Sequence, residues 1–300
     1  MRSSLLILAV FAAACGVNES VVEQNDGTDV LADDAELSAT SRTYVAVRRD
    51  FRKCIAPLCG GYWVRDLNRV HLNEVYVSGL DFTGSGLTDV EQGQVQAGLG
   101  EVVLRGKLGP KESQWNTRPF IVSEAYRGLP GKVFEGETFF KVKPVNIQCF
   151  RAPCPSLSAT RLNYTAQTLF HGLDLAYVGE GRVDVKWLEK RVREGDALVA
   201  GYWYRNGEER LLDVGNVFVR LPENTLSCPV FKLAACPSGQ MRIYTRDADR
   251  CVLPGACINP GACTKELPIC NEGYTLQSWP ATSFGCNAYA CDPSWVVGEE

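Results

Sequence analysis

Thr43–Asn68 reads TYVAVRRDFRKCIAPLCGGYWVRDLN, and Thr138–Asn163 reads TFFKVKPVNIQCFRAPCPSLSATRLN. The two stretches align without a gap at an offset of 95 residues. Thr43 meets Thr138, Tyr44 meets Phe139, Val47 meets Val142, Cys54 and Cys59 meet Cys149 and Cys154, and Leu67-Asn68 meets Leu162-Asn163. After a short gap Gly79-Leu80-Asp81 matches Gly172-Leu173-Asp174. Further on, Asp89-Val90 matches Asp184-Val185, and Gly100, Val103 and Gly106 match Gly195, Leu198 and Gly201. So many matches in one register read as an internal repeat, which bears on the whole fold before any single element does.

Working outward, each copy gives the same order of elements. A β run opens it (Tyr44–Arg48; Phe139–Lys143), followed by a C-x4-C loop, a second run (Tyr62–Asp66; Ser158–Leu162) and a third (Val75–Phe82; Gln167–Ala176). A short helix is expected next. Thr88-Asp89-Val90-Glu91 has the form of a capping box. Val185, Leu188 and Val192 have helical spacing, with Gly195 placed to stop that helix. Two runs close each unit, Val102–Leu108 with Phe120–Tyr126, and Ala197–Tyr204 with Leu211–Val219. The expectation is a mainly β chain with modules at 43–131 and 138–222. Five strands with a helix between the third and fourth is the order of a small OB-like barrel; a β-sandwich is the competing arrangement. Each C-x4-C pair can close on itself, which constrains the unfolded chain by roughly 2 kcal/mol, or can bridge the copies.

Upstream, Met1-Arg2-Ser3-Ser4 precedes ten apolar residues, Leu5 to Ala14. That is the shape of an export signal, too short to span a ~30 Å hydrocarbon core. Ala12-Ala13-Ala14-Cys15-Gly16 resembles a bacterial lipobox, with Ala12 where leucine is usual. Residues 1–15 are therefore read as a lipoprotein-type signal with Cys15 as the lipidated residue. Residues 16–42 hold seven acids, one base and no aromatic residue, the composition of a disordered acidic tether. The rest of the chain keeps 29 of the 31 basic and 28 of the 35 acidic residues, so the body is nearly neutral.

Thirteen cysteines are an odd number. If Cys15 carries lipid, the other twelve can pair, as expected outside the cytoplasm. Eight of them lie in a tail spanning 223–300: Cys228, Cys236, Cys251 and Cys257, then Cys263, Cys270, Cys286 and Cys291. The spacing repeats, so the tail reads as two mini-modules too small to fold without disulfides. With only His71 and His171 and no CxxC pair, neither a metal site nor a cofactor is expected.

RRDFRKCIAPLCGGYWVRDLN is similar to an uncharacterised domain family found in predicted lipoproteins of myxobacteria and related bacteria. The resemblance covers residues 43–127 and, more loosely, 138–220; it implies compartment and domain limits and carries no chemistry. The tail resembles antistasin-type inhibitor repeats in its Cys236-Pro-Ser-Gly…Asp249-Arg250-Cys251, though its last cysteines are farther apart than theirs.

No nucleophile, P-loop or metalloprotease motif occurs, and the two histidines do not align in the repeat, so the chain is read as non-enzymatic. Asp81/Asp174 and Asp89/Asp184 recur, the latter at helix starts. Arg48, Arg49, Arg52, Lys53, Arg65 and Arg69 surround the first C-x4-C loop beside Tyr62 and Trp63. Of these, Arg48, Arg52, Lys53, Tyr62, Trp63 and Arg65 are the candidate binding residues, since bases interleaved with aromatics suit a polyanion or sugar. The same residues also suit a solvated strand edge that resists pairing. The reading is an envelope binding or adhesion module, anchored to a bacterial membrane (the outer membrane) or else secreted. Its partners would be the membrane through the lipid and an envelope polysaccharide or protein, with no nucleic acid. The alternative is a protease inhibitor acting through an exposed loop such as Arg242–Arg250.

Overall fold

The structure, a computed structural model, describes residues 37, 40–69, 73–112, 114–132, 137–223, 228–264 and 266–297. The signal, Cys15, most of the tether and His71 lie outside them.

The chain is mainly β. The first half runs β1 (Thr43–Arg49), β2 (Tyr62–Asp66), β3 (Val75–Val77), β4 (Leu80–Asp81), α1 (Asp89–Ala97), β5 (Val102–Leu108) and β6 (Phe120–Gly128). The second runs β7 (Thr138–Pro144), β8 (Leu157–Arg161), β9 (Gln167–Phe170), β10 (Gly172–Asp174), α2 (Ala176–Gly179), α3 (Val185–Glu194), β11 (Ala197–Asn206) and β12 (Glu209–Leu221). These twelve strands form one sheet ordered β3-β2-β1-β5-β6-β12-β11-β7-β8-β9, with β4 paired in parallel to β6 and β10 in parallel to β12.

This differs from two separate barrels. No closed barrel is found among the described residues, because the ring of pairings within each half has a break. In the first half it falls at Ser78-Gly79, where the third run changes partner from β2 to β6. In the second it falls at His171, between a strand on β8 and a strand on β12. The halves also merge, since β6 pairs antiparallel with β12 from Ala125↔Leu221 to Gly128↔Phe218.

Apolar residues explain the merger. Along β1, Val45 and Val47 face one side and join the main core; Phe140 and Val142 do so from β7. The alternate positions, Tyr44, Ala46 and Phe139, are also apolar, and they pack on a second buried cluster of Leu67, Val103, Tyr126, Leu162, Leu198, Ala200 and Phe218. A sheet with two apolar faces has to bury both. Matching pairs recur here: Tyr44 lies 6.2 Å from Tyr126, and Phe139 lies 5.6 Å from Phe218, ring to ring. Each half has a bulge at the corresponding place, Arg105/Gly106 and Ala200/Gly201, where an extra residue bends the strand.

Two asparagines lock the junction. Asn68 donates to the carbonyls of Phe139 and Leu162 at 2.9 and 3.0 Å and accepts from the Phe139 N–H at 2.9 Å. Asn163 donates to the carbonyls of Tyr44 and Leu67 at 2.8 and 3.0 Å and accepts from the Tyr44 N–H at 2.8 Å. Both have positive φ, 62° and 65°, a conformation asparagine tolerates better than most residues.

The helices follow their caps. Thr88 and Glu91 form the expected capping box on α1, Asp184 caps α3, and Gly195 ends α3 in the left-handed conformation.

The tail forms two hairpins, β13 (Met241–Arg246) with β14 (Val252–Ile258), and β15 (Tyr274–Pro280) with β16 (Asn287–Pro293), then α4 (Ser294–Val297). Its disulfides are Cys228–Cys251, Cys236–Cys257, Cys263–Cys286 and Cys270–Cys291. Each mini-module thus joins its first cysteine to its third and its second to its fourth. The tail is docked on the body rather than hung from it. Trp295 and Val296 enter the main core, Gln94 donates to the Trp295 carbonyl at 3.2 Å, and Lys190 pairs with Asp249 at 2.5 Å.

Candidate functional site

The first C-x4-C loop closes on itself through Cys54–Cys59 and stands on a platform built by three strands. The sheet sets this platform up. Trp63 on β2 lies between Arg48 on β1 and Tyr76 on β3, its cross-strand neighbours. Trp63 and Tyr76 meet edge to face at 5.5 Å. The guanidiniums of Arg48 and Arg52 lie 5.4 and 4.9 Å from the Trp63 ring, and Arg52 lies 5.1 Å from Tyr76. Cation–π contacts of this kind contribute about 0.5–1 kcal/mol each at exposed sites.

Carboxylates complete it. Arg48 donates to Glu74 at 3.0 Å through Nε, and Arg52 donates to the buried Asp50 at 3.0 Å. The Arg52 hydrogen bond holds the Asp50 carboxyl down at about 2, and the Arg48 hydrogen bond lowers that of Glu74. Hydrogen bonds then reach up into the loop. The Tyr76 hydroxyl donates to the Pro57 carbonyl at 2.8 Å, and Arg52 donates to the Leu58 carbonyl at 3.2 Å. Gly61 is needed below: a Cβ there would lie 2.1 Å from the Val77 carbonyl oxygen, so only glycine lets the strand pass.

What the platform lifts into solvent is apolar and basic. Phe51 is 82% exposed, Ile55 78%, and Leu58 is exposed as well. Arg49 and Lys53 are exposed beside them and form no ion pair among the described residues.

The six candidate residues therefore divide. Arg48, Arg52 and Trp63 are brought together, as support for the loop; Trp63 has guanidiniums over it and does not line an open groove. Tyr62 points to the other face and packs on the core. Arg65 is exposed one step along β2, and Lys53 stands on the loop itself. The residues missed in the sequence are Phe51, Ile55, Tyr76, Asp50 and Glu74. Asp50 and Glu74 were readable as acids close to the arginines, and Phe51 and Ile55 as large apolar residues inside a basic loop.

The second loop closes through Cys149–Cys154 and has no such platform. Ser158 and Leu169 stand where Trp63 and Tyr76 pair, and Pro155-Ser156 replaces Gly60-Gly61. Phe150 is fully exposed at its tip, and Arg151 reaches Glu208 at 3.5 Å on the surface.

The remaining polar candidates have structural partners. His171 accepts from the Arg210 N–H at 2.8 Å through Nδ1. Asp81 turns back on Thr83, and Asp174 accepts from the Tyr204 hydroxyl at 3.0 Å. Asp89 opens α1 and Asp184 caps α3. Arg69 bonds the Asn163 carbonyl at 3.0 Å across the junction. The tail loop expected to be exposed is held down instead: Arg246 pairs with Asp184 and Asp292, and Arg250 pairs with Glu223 and Asp292. The Arg250 side chain is 11% exposed and lies 4.9 Å from the Trp187 ring, so it is not offered to a protease.

A groove of about 350 Å³ lies at the junction, lined by Arg65, Asp66 and Asn68 from one half and Glu137, Phe139 and Phe218 from nearer the other. Burial, and then the nearby Asp213 charge, push the Glu137 carboxyl up to about 7. Burial also raises the Asp66 carboxyl.

Among known proteins, residues 43–210 match a family described as "Domain of unknown function (DUF6748)". An uncharacterized protein of Dictyostelium discoideum is 29% identical over 254 residues, covering 81% of this chain and 84% of the relative. No solved structure matches the chain.

Proposed function

We propose, from the premise that this chain belongs to the DUF6748 family, that it is a non-enzymatic binding or adhesion module of the cell envelope. In this reading it is exported, anchored by lipid at Cys15, and makes contact through the connection between β1 and β2, residues 50–61, which Cys54–Cys59 ties together. The observation that carries the reading is the exposure of Phe51 and Ile55 on a loop tied from below by Tyr76 and Arg52. Solvent-facing apolar residues on a fixed loop mark interaction sites, and a loop already held in shape loses little entropy on binding. A non-enzymatic role is supported by the two acids beside the loop, Glu74 and Asp50, each of which is held in an ion pair, with Arg48 and Arg52.

Six disulfides among the described residues support a place outside the cytoplasm.

We read the frame of the module as two copies of one OB-type unit. Support comes from the shared order of elements, the reciprocal asparagines and the matching bulges. The parallel β4–β6 and β10–β12 pairings bring the third run of each half beside its last strand, as a barrel of this type requires.

The test is retention of the full chain on an envelope fraction. Phe51→Ser with Ile55→Ser is expected to cut retention about ten-fold, while Phe150→Ser leaves it within about two-fold. Equal retention of all three proteins would refute the reading.

A further inference from the structure

We infer that the connection between β1 and β2, tied by Cys54–Cys59, seats on an anionic lipid bilayer, with Phe51 and Ile55 entering the headgroup boundary. This names the partner of the site proposed above and rests on that reading.

Composition makes the first argument. Between Arg48 and Cys59 the chain carries Arg48, Arg49, Arg52 and Lys53 against Asp50 alone. The body as a whole is nearly neutral, so this excess is local to the loop. Arg48 and Arg52 hold the platform together and are offset there by Glu74 and Asp50, so the excess charge beside the apolar residues comes from Arg49 and Lys53. Arg49 and Lys53 are exposed and form no ion pair among the described residues. Basic residues near an anionic leaflet each add to attraction, within a Debye length of the surface.

Geometry makes the second. Phe51, Ile55 and Leu58 fall within eight residues and are all exposed. They alternate with the bases rather than forming the wide apolar patch typical of a protein interface core. A few large apolar side chains among lysine and arginine is the chemistry of an element lying in the membrane interface. The loop is also fastened to the sheet. The Asp50 N–H donates to the Gly61 carbonyl at 2.9 Å, and the Leu58 N–H to the Ile55 carbonyl at 3.0 Å. Its tip therefore keeps its apolar residues outward instead of folding them back on the protein.

The second loop sharpens the assignment. It exposes Phe150 and Ile147, but between Lys143 and Cys154 its bases are Lys143 and Arg151 alone, and Arg151 is shared with Glu208. It has the apolar tip without the charge.

The experiment uses the full chain with Cys15→Ser, so that no lipid anchors it, in a vesicle co-sedimentation assay. Vesicles of phosphatidylcholine with phosphatidylglycerol are compared with vesicles of phosphatidylcholine alone. Binding to the anionic vesicles is expected, falling about ten-fold or more on phosphatidylcholine or in high salt. Phe51→Ser with Ile55→Ser, and separately Arg49→Gln with Lys53→Gln, should each weaken it about ten-fold. Phe150→Ser should leave it unchanged. The altered residues are solvent-facing, and an unchanged circular dichroism spectrum is expected for every variant. Equal binding to both vesicle types, binding indifferent to the loop variants, or no binding at all would overturn the inference. Loop-dependent retention on envelope polysaccharide or protein, without vesicle binding, would overturn the bilayer and keep the binding module. Loss of both would overturn both.

Discussion

The loops Cys54–Cys59 and Cys149–Cys154 occupy matching places, after the first strand of each half, and are closed the same way. Only the first stands on stacked arginines and aromatics. The same comparison one layer down gives the opposite result: Asn68 and Asn163 make the same three bonds to opposite halves. The difference teaches where the two halves are held alike and where they diverge. The junction is symmetric because each half needs the other to cover its second apolar face. The loops are under no such mutual demand, and only the first has a platform.

The junction should break first. Asn68→Ala and Asn163→Ala each remove three hydrogen bonds and place alanine at positive φ. Each should cost roughly 3 kcal/mol, at about 1 kcal/mol per bond, read as a fall in the urea midpoint at unchanged slope. A large loss from one and a small loss from the other would end the equivalence.

Next comes the platform. Trp63→Ala removes the ring that Arg48, Arg52 and Tyr76 share and should cost about 2 kcal/mol. Ser158→Ala, at the matching place in the second half, gives up one hydrogen bond to Gln167 and should cost about 1 kcal/mol or less. Equal losses by urea denaturation would mean that the two loops are supported alike.

The smallest effect concerns Glu137, a half-buried acid in the groove at the start of the second half. Its folded carboxyl titrates at about 7, against an ordinary 4.5. A raised acid stabilises the fold at low pH, where both states are protonated. As pH rises from 4.5 to 7 the unfolded chain releases the proton before the folded one does, so stability falls across that window and then levels. Glu137→Gln should match the parent below pH 4.5 and melt about 2–4 °C higher above pH 7, as expected for roughly 1 kcal/mol in a chain of this size. A parallel pH dependence in parent and variant would contradict the assignment.

Much of this fold was legible. The alternation of apolar runs gave the order of strands and helices in each half, Thr88 and Glu91 gave the first helix start, and the cysteine spacing parallels the two disulfide sets of the tail. The merger into one sheet was not, because the β6–β12 seam joins residues about ninety apart and no local pattern names that partner. Its trace was the apolar filling of both faces of β1: Tyr44 and Ala46 between Val45 and Val47. At the site, the basic and aromatic residues stood out in the sequence, but their arrangement on one another did not. A guanidinium beside a tryptophan reads the same whether it awaits a ligand or covers the ring; only the cross-strand register, which sets Arg48 beside Trp63 and Trp63 beside Tyr76, decides.

The central claim is that the first half makes contact and the second half frames it. Hydrogen–deuterium exchange of the full Cys15→Ser chain, with and without phosphatidylglycerol-containing vesicles, tests it most directly. Added protection should appear in peptides spanning residues 50–61 and be missing from those spanning 145–156. Protection of the second loop, or of the tail with the first loop unchanged, would contradict the claim.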